Sequence, residues 1–255
     1  MNKAKRNFIL VGNWKMHPDT REEAKALFAP ILKAAKAAQE TTVVIAPPAP
    51  FIHDLTGKEP VHISAQDVSE HAEGAFTGSV SARELKSAGA EYTIVGHSER
   101  RAAGDTDAIV AKKVAEALRA GLRVIVCIGE SERDAHAQYL RSIREQIVGI
   151  LSAVDKKLAR WITIAYEPVW VIGKSYDTSL KPADIHEMVI YIRKVAAEVL
   201  GKNAGLKVPV LYGGSVDFEH AKTMLADSAA DGLLIGRQSL DPKAFSSIIE
   251  YADSL

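Results

Sequence analysis

Eight short apolar runs recur along the chain and alternate with longer segments of helical periodicity. Most of the runs are rich in β-branched residues and continuously apolar, which is typical of strands that are covered on both faces of a parallel sheet. The predicted strands are Phe8–Gly12, Thr42–Ala46, Val61–Ala65, Tyr92–Val95, Arg123–Ile128, Ile162–Tyr166, Val208–Leu211 and Gly232–Ile235. The pattern therefore predicts an α/β protein built on a parallel sheet.

The segments between the predicted strands are amphipathic. Asp19 and Thr20 are capping candidates for a helix whose apolar residues recur at helical spacing, and a second such face follows Pro182. A third runs from Val110 and closes at Gly121, a residue type favoured just after a helix. Eight strand–helix units in roughly 250 residues are what a closed (β/α)₈ barrel requires.

An open doubly wound sheet would give the same alternation of strands and helices. That fold usually carries a G-x-G-x-x-G phosphate turn after its first strand, and this chain has none there. The chain also has no composition break or linker that would divide it. We therefore expect residues 1–255 to form a single barrel domain.

Composition limits the classes of partner. Lys and Arg number 32, as do Asp and Glu, so the balanced charge gives no sign of binding to nucleic acid or an anionic membrane. The single cysteine, Cys127, excludes an intrachain disulfide and fits a reducing compartment. No apolar stretch approaches the ~20 residues that span a bilayer. We expect a cytoplasmic protein without nucleic-acid or membrane partners.

One acid has a distinctive position at the end of a predicted strand. In a parallel barrel all strands direct their C-terminal ends to one face, where active sites are assembled. Glu167 directly follows the sixth strand, and Pro168 begins an apolar segment that closes on Gly173. This arrangement suits a general base beneath a lid, although an exposed acid at a strand end is the plainer interpretation.

Titratable residues also follow the first and fourth strands. Lys15 is either a surface charge or, opposite an acid, a group that holds an anionic substrate. His97 precedes a predicted helix, whose positive end disfavours a protonated imidazole. A neutral imidazole can donate a hydrogen bond to a developing oxyanion, but an ordinary hydrogen-bonded histidine is also consistent. Glu99 and Arg100 fit structural ion pairs equally well.

Glycine-rich turns follow the last two strands, at Gly213-Gly214 and Gly236-Arg237. Backbone N–H groups at such turns can bind phosphate, and barrel enzymes often bind phosphate there. A tight turn without a ligand explains the glycines as well. The histidines are scattered, and C-x-x-C, G-x-S-x-G and Walker motifs are absent, so we do not expect a metal site.

Taken together, the motifs resemble the triosephosphate isomerase family over nearly the whole chain. The matching segments are Gly12-Asn-Trp-Lys15, Gly74-Ala-Phe-Thr-Gly78, Gly96-His-Ser-Glu-Arg-Arg101, Cys127-Ile-Gly-Glu130, Ala165-Tyr-Glu-Pro-Val-Trp170, Tyr212-Gly-Gly-Ser-Val216 and Asp231-Gly232. Each is weak alone, but their order and spacing make the set specific. The resemblance implies a TIM barrel and a cofactor-independent glycolytic and gluconeogenic isomerase that interconverts dihydroxyacetone phosphate and D-glyceraldehyde 3-phosphate.

The resemblance also implies roles for individual residues. Glu167 would be the base and His97 the neutral electrophile, a division of labour already described for this enzyme family. Lys15 and Asn13 would stabilise the enediolate, and Glu99 would belong to the supporting network. The residues implied in substrate and phosphate binding are Asn13, Trp14, Lys15, Gly173, Gly214, Ser215, Gly236 and Arg237.

Two further segments receive roles from the resemblance. The implied lid comprises Pro168, Val169, Trp170, Val171, Ile172, Gly173, Lys174 and Ser175. Gly74, Ala75, Phe76, Thr77 and Gly78 resemble a loop that these enzymes insert into a partner subunit, which implies a homodimer.

The chain departs from the family pattern at several places. The lid is longer after Gly173, Arg237 replaces a second glycine, and Asp67 replaces an asparagine at the base of the interface loop. The first two departures keep open an isomerase of a four-carbon ketose phosphate such as erythrulose phosphate. A non-catalytic phosphate-binding barrel predicts loss of the acid, imidazole or lysine, and a lyase or flavin enzyme leaves the Asn-Trp-Lys and His-Ser-Glu sets unexplained.

Overall fold

The chain forms a closed barrel of eight parallel strands, as predicted. The computed structural model describes residues 6–134, 136–171 and 180–255. Each strand pairs with the next along the chain, and β1 pairs with β8 to close the barrel, with Ile9 opposite both Thr42 and Gly232. The strands are β1 Ile9–Asn13, β2 Thr42–Ala46, β3 Val61–Ala65, β4 Tyr92–Val95, β5 Arg123–Ile128, β6 Ile162–Tyr166, β7 Val210–Tyr212 and β8 Gly232–Ile235.

Two of the predicted strands have different bounds. β1 continues to Asn13, which is in register with Ala46, so the ladder includes a polar residue that apolar patterning excluded. β7 begins at Val210, two residues later than predicted. Pro209 accepts a hydrogen bond from the N–H of Ile164 but has no N–H of its own, so the continuous ladder starts one residue after it.

Helices follow the strands and cover the outside of the barrel. The α-helices are α1 Arg21–Ala37, α2 Ile52–Leu55, α3 Ala82–Ser87, α4 Ser98–Ala102, α5 Asp107–Arg119, α6 Gln138–Leu151, α7 Pro182–Leu200, α8 Lys202–Gly205, α9 Phe218–Asp227 and α10 Pro242–Ser254. Thr20, rather than Asp19, caps α1, since its hydroxyl accepts from the N–H of Glu23 and the Glu23 carboxylate accepts in return. None of the helices in the described ranges is long and apolar enough to cross a membrane.

The core consists of two apolar layers separated by the sheet. One buried cluster contains only strand residues, including Val11, Val44 and Ile125, and therefore fills the barrel interior. The alternate strand residues, such as Leu10 and Val43, pack against the helices. This double burial explains why the strands are continuously apolar, and it leaves the strand ends as the places where polar side chains can gather.

Candidate active site

The strand ends enclose a cavity of about 430 Å³. β1, β4, β6, β7 and β8 all contribute residues at their C-terminal ends, so segments far apart in the chain meet at one face of the barrel. The predicted residues that line the cavity are Asn13, Trp14, Lys15, His97, Glu167, Gly214, Ser215, Gly236 and Arg237. Trp14 contributes to the wall although its side chain is completely buried.

Glu167 lines the cavity and is only 2 % exposed. Its Oε2 accepts from the N–H of Ser98 at 3.1 Å, and its Oε1 lies 3.4 Å from Nε2 of His97. Two glycines make room for it: a Cβ on Gly213 would lie 2.8 Å from its Cγ, and one on Gly129 would lie 1.7 Å from its carbonyl oxygen. The neighbouring strand ends therefore hold this carboxylate against the imidazole.

His97 is the residue that caps α4, as its position before a predicted helix suggested. Its Nδ1 accepts a hydrogen bond from the N–H of Glu99 at 3.2 Å. An acceptor nitrogen carries no proton, so the neutral imidazole bears its proton on Nε2. Nε2 is the nitrogen that faces Glu167, and its N–H is therefore directed into the cavity as a donor.

Lys15 has an unusual backbone conformation, with φ of 53°. Its N–H donates to Oδ1 of Asn13 at 3.0 Å, and its carbonyl accepts from Nε2 of Gln66 at 2.7 Å. Gln66 also donates to Ala46, so it fixes the first strand end in place. Sequence reasoning missed Gln66, whose only signal is that it directly follows the third strand.

The Lys15 ammonium is paired with an acid at the rim of the cavity. Its Nζ lies 2.5 Å from Oε1 of Glu99. Burial alone would raise the pKa of Glu99, but the hydrogen bond and charge of Lys15 outweigh it and lower that pKa. Glu99 is therefore held in its charged form beside the lysine.

The turns after β7 and β8 are shaped for close backbone approach. A Cβ on Gly214 would lie 2.1 Å from the hydroxyl oxygen of Tyr212, which is completely buried, so only glycine fits there. A Cβ on Gly236 would lie 3.5 Å from Cε of Lys15, which shows that the lysine side chain reaches the end of β8.

The sequence comparisons agree with this arrangement. The model of the family described as triosephosphate isomerase matches residues 8–252. The chain belongs to the triosephosphate isomerase family. Among its relatives, the triosephosphate isomerase of Symbiobacterium thermophilum is 38% identical over 96% of both chains. The triosephosphate isomerase of Thermus thermophilus is 38% identical over 97% of this chain and 99% of its own length. The triosephosphate isomerase of Moorella thermoacetica is 38% identical over 95% of this chain and 98% of its own length.

Arg237 is the clearest departure from the family pattern in the cavity wall. It begins a 3₁₀ turn, Arg237–Leu240, and is not one of the non-glycine residues with positive φ. The backbone there accommodates a side chain without strain. Within the described ranges its exposed guanidinium makes neither a hydrogen bond nor an ion pair.

The first part of the predicted lid is anchored by Glu130. Val169–Val171 form a 3₁₀ turn after Pro168. The buried Glu130 carboxylate accepts from the Trp170 indole at 3.0 Å and from the Tyr166 hydroxyl at 2.8 Å. Burial, followed by the charge of Glu130, raises the pKa of Tyr166. The remaining predicted lid residues, Ile172, Gly173, Lys174 and Ser175, lie outside the described residues.

The predicted interface loop, Gly74–Gly78, is exposed throughout. Phe76 is 42 % exposed and stacks on His71, with ring centroids 3.6 Å apart. At the base of the loop, Asp67 accepts from Nζ of Lys113 at 2.8 Å and lies 2.9 Å from Nε of Arg100. Ion pairs thus link the base of the loop to α4 through Arg100 and to α5 through Lys113.

Proposed function

We propose that this chain interconverts dihydroxyacetone phosphate and D-glyceraldehyde 3-phosphate, with Glu167 as the base. The observation that carries the proposal is the 3.4 Å approach of Glu167 to Nε2 of His97, in a cavity that also contains Lys15. A buried base, a neutral hydrogen-bond donor and a cation are the three groups that an enediolate intermediate requires.

The proposed reaction is a proton transfer between adjacent carbons. Glu167 takes a proton from C1 of dihydroxyacetone phosphate, and the electron pair of that C–H bond forms the C1–C2 double bond. The C2 oxygen becomes an oxyanion, stabilised by the Nε2 proton of His97 and the Lys15 ammonium. The O1 proton is then transferred to the C2 oxygen, and Glu167 returns its proton to C2, which gives the aldehyde with a hydroxyl on C2. No atoms or electrons are gained or lost overall, and the steps require no cofactor.

Substrate binding requires the Glu167 carboxylate to move. The 3.4 Å between its Oε1 and Nε2 of His97 leaves no space for a substrate between the two groups. We infer that the hydrogen bond from the N–H of Ser98 to the Glu167 carboxylate breaks when substrate enters. The predicted lid, whose first part is anchored at Glu130, would then exclude water from the site. This exclusion matters because an enediol phosphate that is exposed to water loses its phosphate.

The phosphate end of the substrate is proposed to lie against the turns after β7 and β8. Backbone N–H groups of Gly214, Ser215, Gly236 and Arg237 are suited to this role, because glycine turns offer oriented donors to an anion. Asn13, whose side chain is oriented by the N–H of Lys15, would contact the reacting end.

The remaining expectations concern the setting of the activity. We propose that residues 1–255 form one domain, that the protein is cytoplasmic and that it is a homodimer through the Gly74–Gly78 loop. The exposed Phe76 supports the last point, since an exposed aromatic residue on a protruding loop is favourable to bury in a partner. Sedimentation over a range of protein concentrations tests it, and a monomer at micromolar concentration contradicts it.

A coupled isomerase assay with 2-phosphoglycolate as competitor tests the proposed reaction. We expect turnover of triose phosphates and competitive inhibition, with weaker turnover of erythrulose phosphate. Glu167→Gln should lower kcat by about 10²–10⁴-fold, the usual contribution of a general base. Glu187→Gln on α7 removes an exposed carboxylate and is the matched control. Equal rates for the wild type and Glu167→Gln would refute the assignment of the base.

A further inference from the structure

Arg237 is a cavity-lining residue whose side chain has no hydrogen-bond or ion-pair partner among the described residues. It follows Gly236 directly, where β8 ends, and its guanidinium is exposed. The carboxylates among the described lining residues are Glu167 and Asp217, and neither lies within 4.0 Å of the guanidinium. An arginine that closes a structural ion pair would have such a contact.

The other permanent cation of the cavity wall is already engaged. Lys15 is paired with Glu99 at 2.5 Å, so much of its charge is offset before a ligand arrives. Asp217 caps α9 by accepting from the N–H of His220 at 2.8 Å, and its negative charge on the same wall opposes an incoming anion. Of the described lining residues that are always charged, Arg237 is the cation without a carboxylate partner.

Arg237 lines the cavity beside the turn where the phosphate is proposed to bind. Gly236 separates it from the Lys15 side chain, whose Cε lies close to the Gly236 backbone. The turn of Gly214 and Ser215 lines the same cavity. A guanidinium offers a planar fork of N–H donors that matches two phosphate oxygens, and it carries the charge that neutral backbone donors lack.

We propose that the Arg237 guanidinium binds the phosphate dianion of the substrate and is a specificity-determining group of this site. The inference rests on the proposed function, because it takes the phosphorylated end of the substrate to lie against β8. It adds a side-chain contact to a cradle that would otherwise consist of backbone N–H groups. Arg237 therefore acts on substrate affinity and leaves the proton transfer to Glu167.

The test compares Arg237→Met with Arg237→Lys and with Lys243→Met. Lys243 is an exposed lysine at the start of α10 outside the cavity lining, so its loss changes the net charge equally without removing a cavity contact. The measurements are the calorimetric affinity for inorganic phosphate, KM and kcat for glyceraldehyde 3-phosphate, and kcat/KM for D-glyceraldehyde, which has no phosphate.

Arg237→Met should weaken inorganic phosphate binding and raise KM about 10- to 100-fold, as expected for loss of hydrogen bonds to a charged group. The value of kcat/KM for D-glyceraldehyde should fall by a much smaller factor than the phosphate affinity, because this substrate has no phosphate. Arg237→Lys should be intermediate because it keeps the charge without the fork, and Lys243→Met should match the wild type.

Two outcomes would overturn the proposal. One is phosphate affinity in Arg237→Met that equals the wild type. The other is a fall in D-glyceraldehyde turnover as large as the fall in phosphate affinity, since that would indicate a general disturbance of the site. Phosphate binding is measured without turnover, so this result stays separate from the Glu167→Gln test of the reaction itself.

Discussion

Lys113 is a buried lysine in a charge cluster whose disruption should cost substantial stability. Its side chain is 3 % exposed, and Nζ contacts Asp67 at 2.8 Å and Asp105 at 2.6 Å. Arg100 contacts the same two acids, at 2.9 and 3.8 Å. The cluster therefore has two positive and two negative charges, and Lys113→Met would leave it with one uncompensated negative charge.

Removing one partner of a buried ion pair typically costs about 3–5 kcal/mol. At about 2–4 °C per kcal/mol for a chain of this size, Lys113→Met should lower Tm by about 6–20 °C. The double variant Asp67→Asn with Lys113→Met leaves Arg100 paired with Asp105 and restores neutrality. It should recover most of the loss, because removing both partners is far less costly than removing one.

Thermal and urea unfolding of the two single variants, the double variant and the wild type measure this coupling. All four proteins are compared at one protein concentration, because association with a second copy would also shift Tm. Exposed ion pairs contribute below about 1 kcal/mol to the free energy of unfolding. A loss of that size in Lys113→Met would refute the argument from burial. Additive losses in the double variant would refute the argument from charge balance.

Three further predictions concern other sites. Gly214→Ala should weaken phosphate binding and cost about 1–3 kcal/mol of stability, since its Cβ would overlap the buried Tyr212; unchanged calorimetric affinity would contradict this. Burial, followed by the charge of Glu167, raises the pKa of Cys127. A thiol reagent at pH 8 should therefore modify Cys127 only in the unfolded protein, and rapid labelling of the native protein would contradict this prediction. Burial alone would raise the pKa of Asp253, but backbone N–H groups of residues 39–41 outweigh it and lower that pKa. Its stabilising contribution is therefore present above the unfolded pKa of about 3.9 and is lost as pH falls through the lower folded value. Asp253→Asn should lower the free energy of unfolding at pH 7, and its difference from the wild type should shrink toward pH 2. A difference that does not change with pH would contradict a role for the carboxylate.

Much of the fold and part of the site could be read from local sequence. Continuous apolar runs identified the strands because each strand is buried on both faces, and this signal lies within a few neighbouring residues. The same runs located the strand ends, where Glu167, His97 and Lys15 follow in the chain. The start of α4 after His97 was also local, since a short helix begins where the strand stops.

The relations between those strand ends were decided only by the closed barrel. Pairing of β1 with β8 brings Lys15 beside Gly236, although more than two hundred residues separate them. Gln66 and Glu130 received no role from sequence because their partners lie on other strand ends. For Arg237, the resemblance implied a place in the phosphate site, and only the described structure shows that no carboxylate lies within 4.0 Å of its guanidinium. Apolar patterning records which face of a strand is buried, whereas hydrogen bonds and ion pairs depend on distances between segments that only tertiary packing sets.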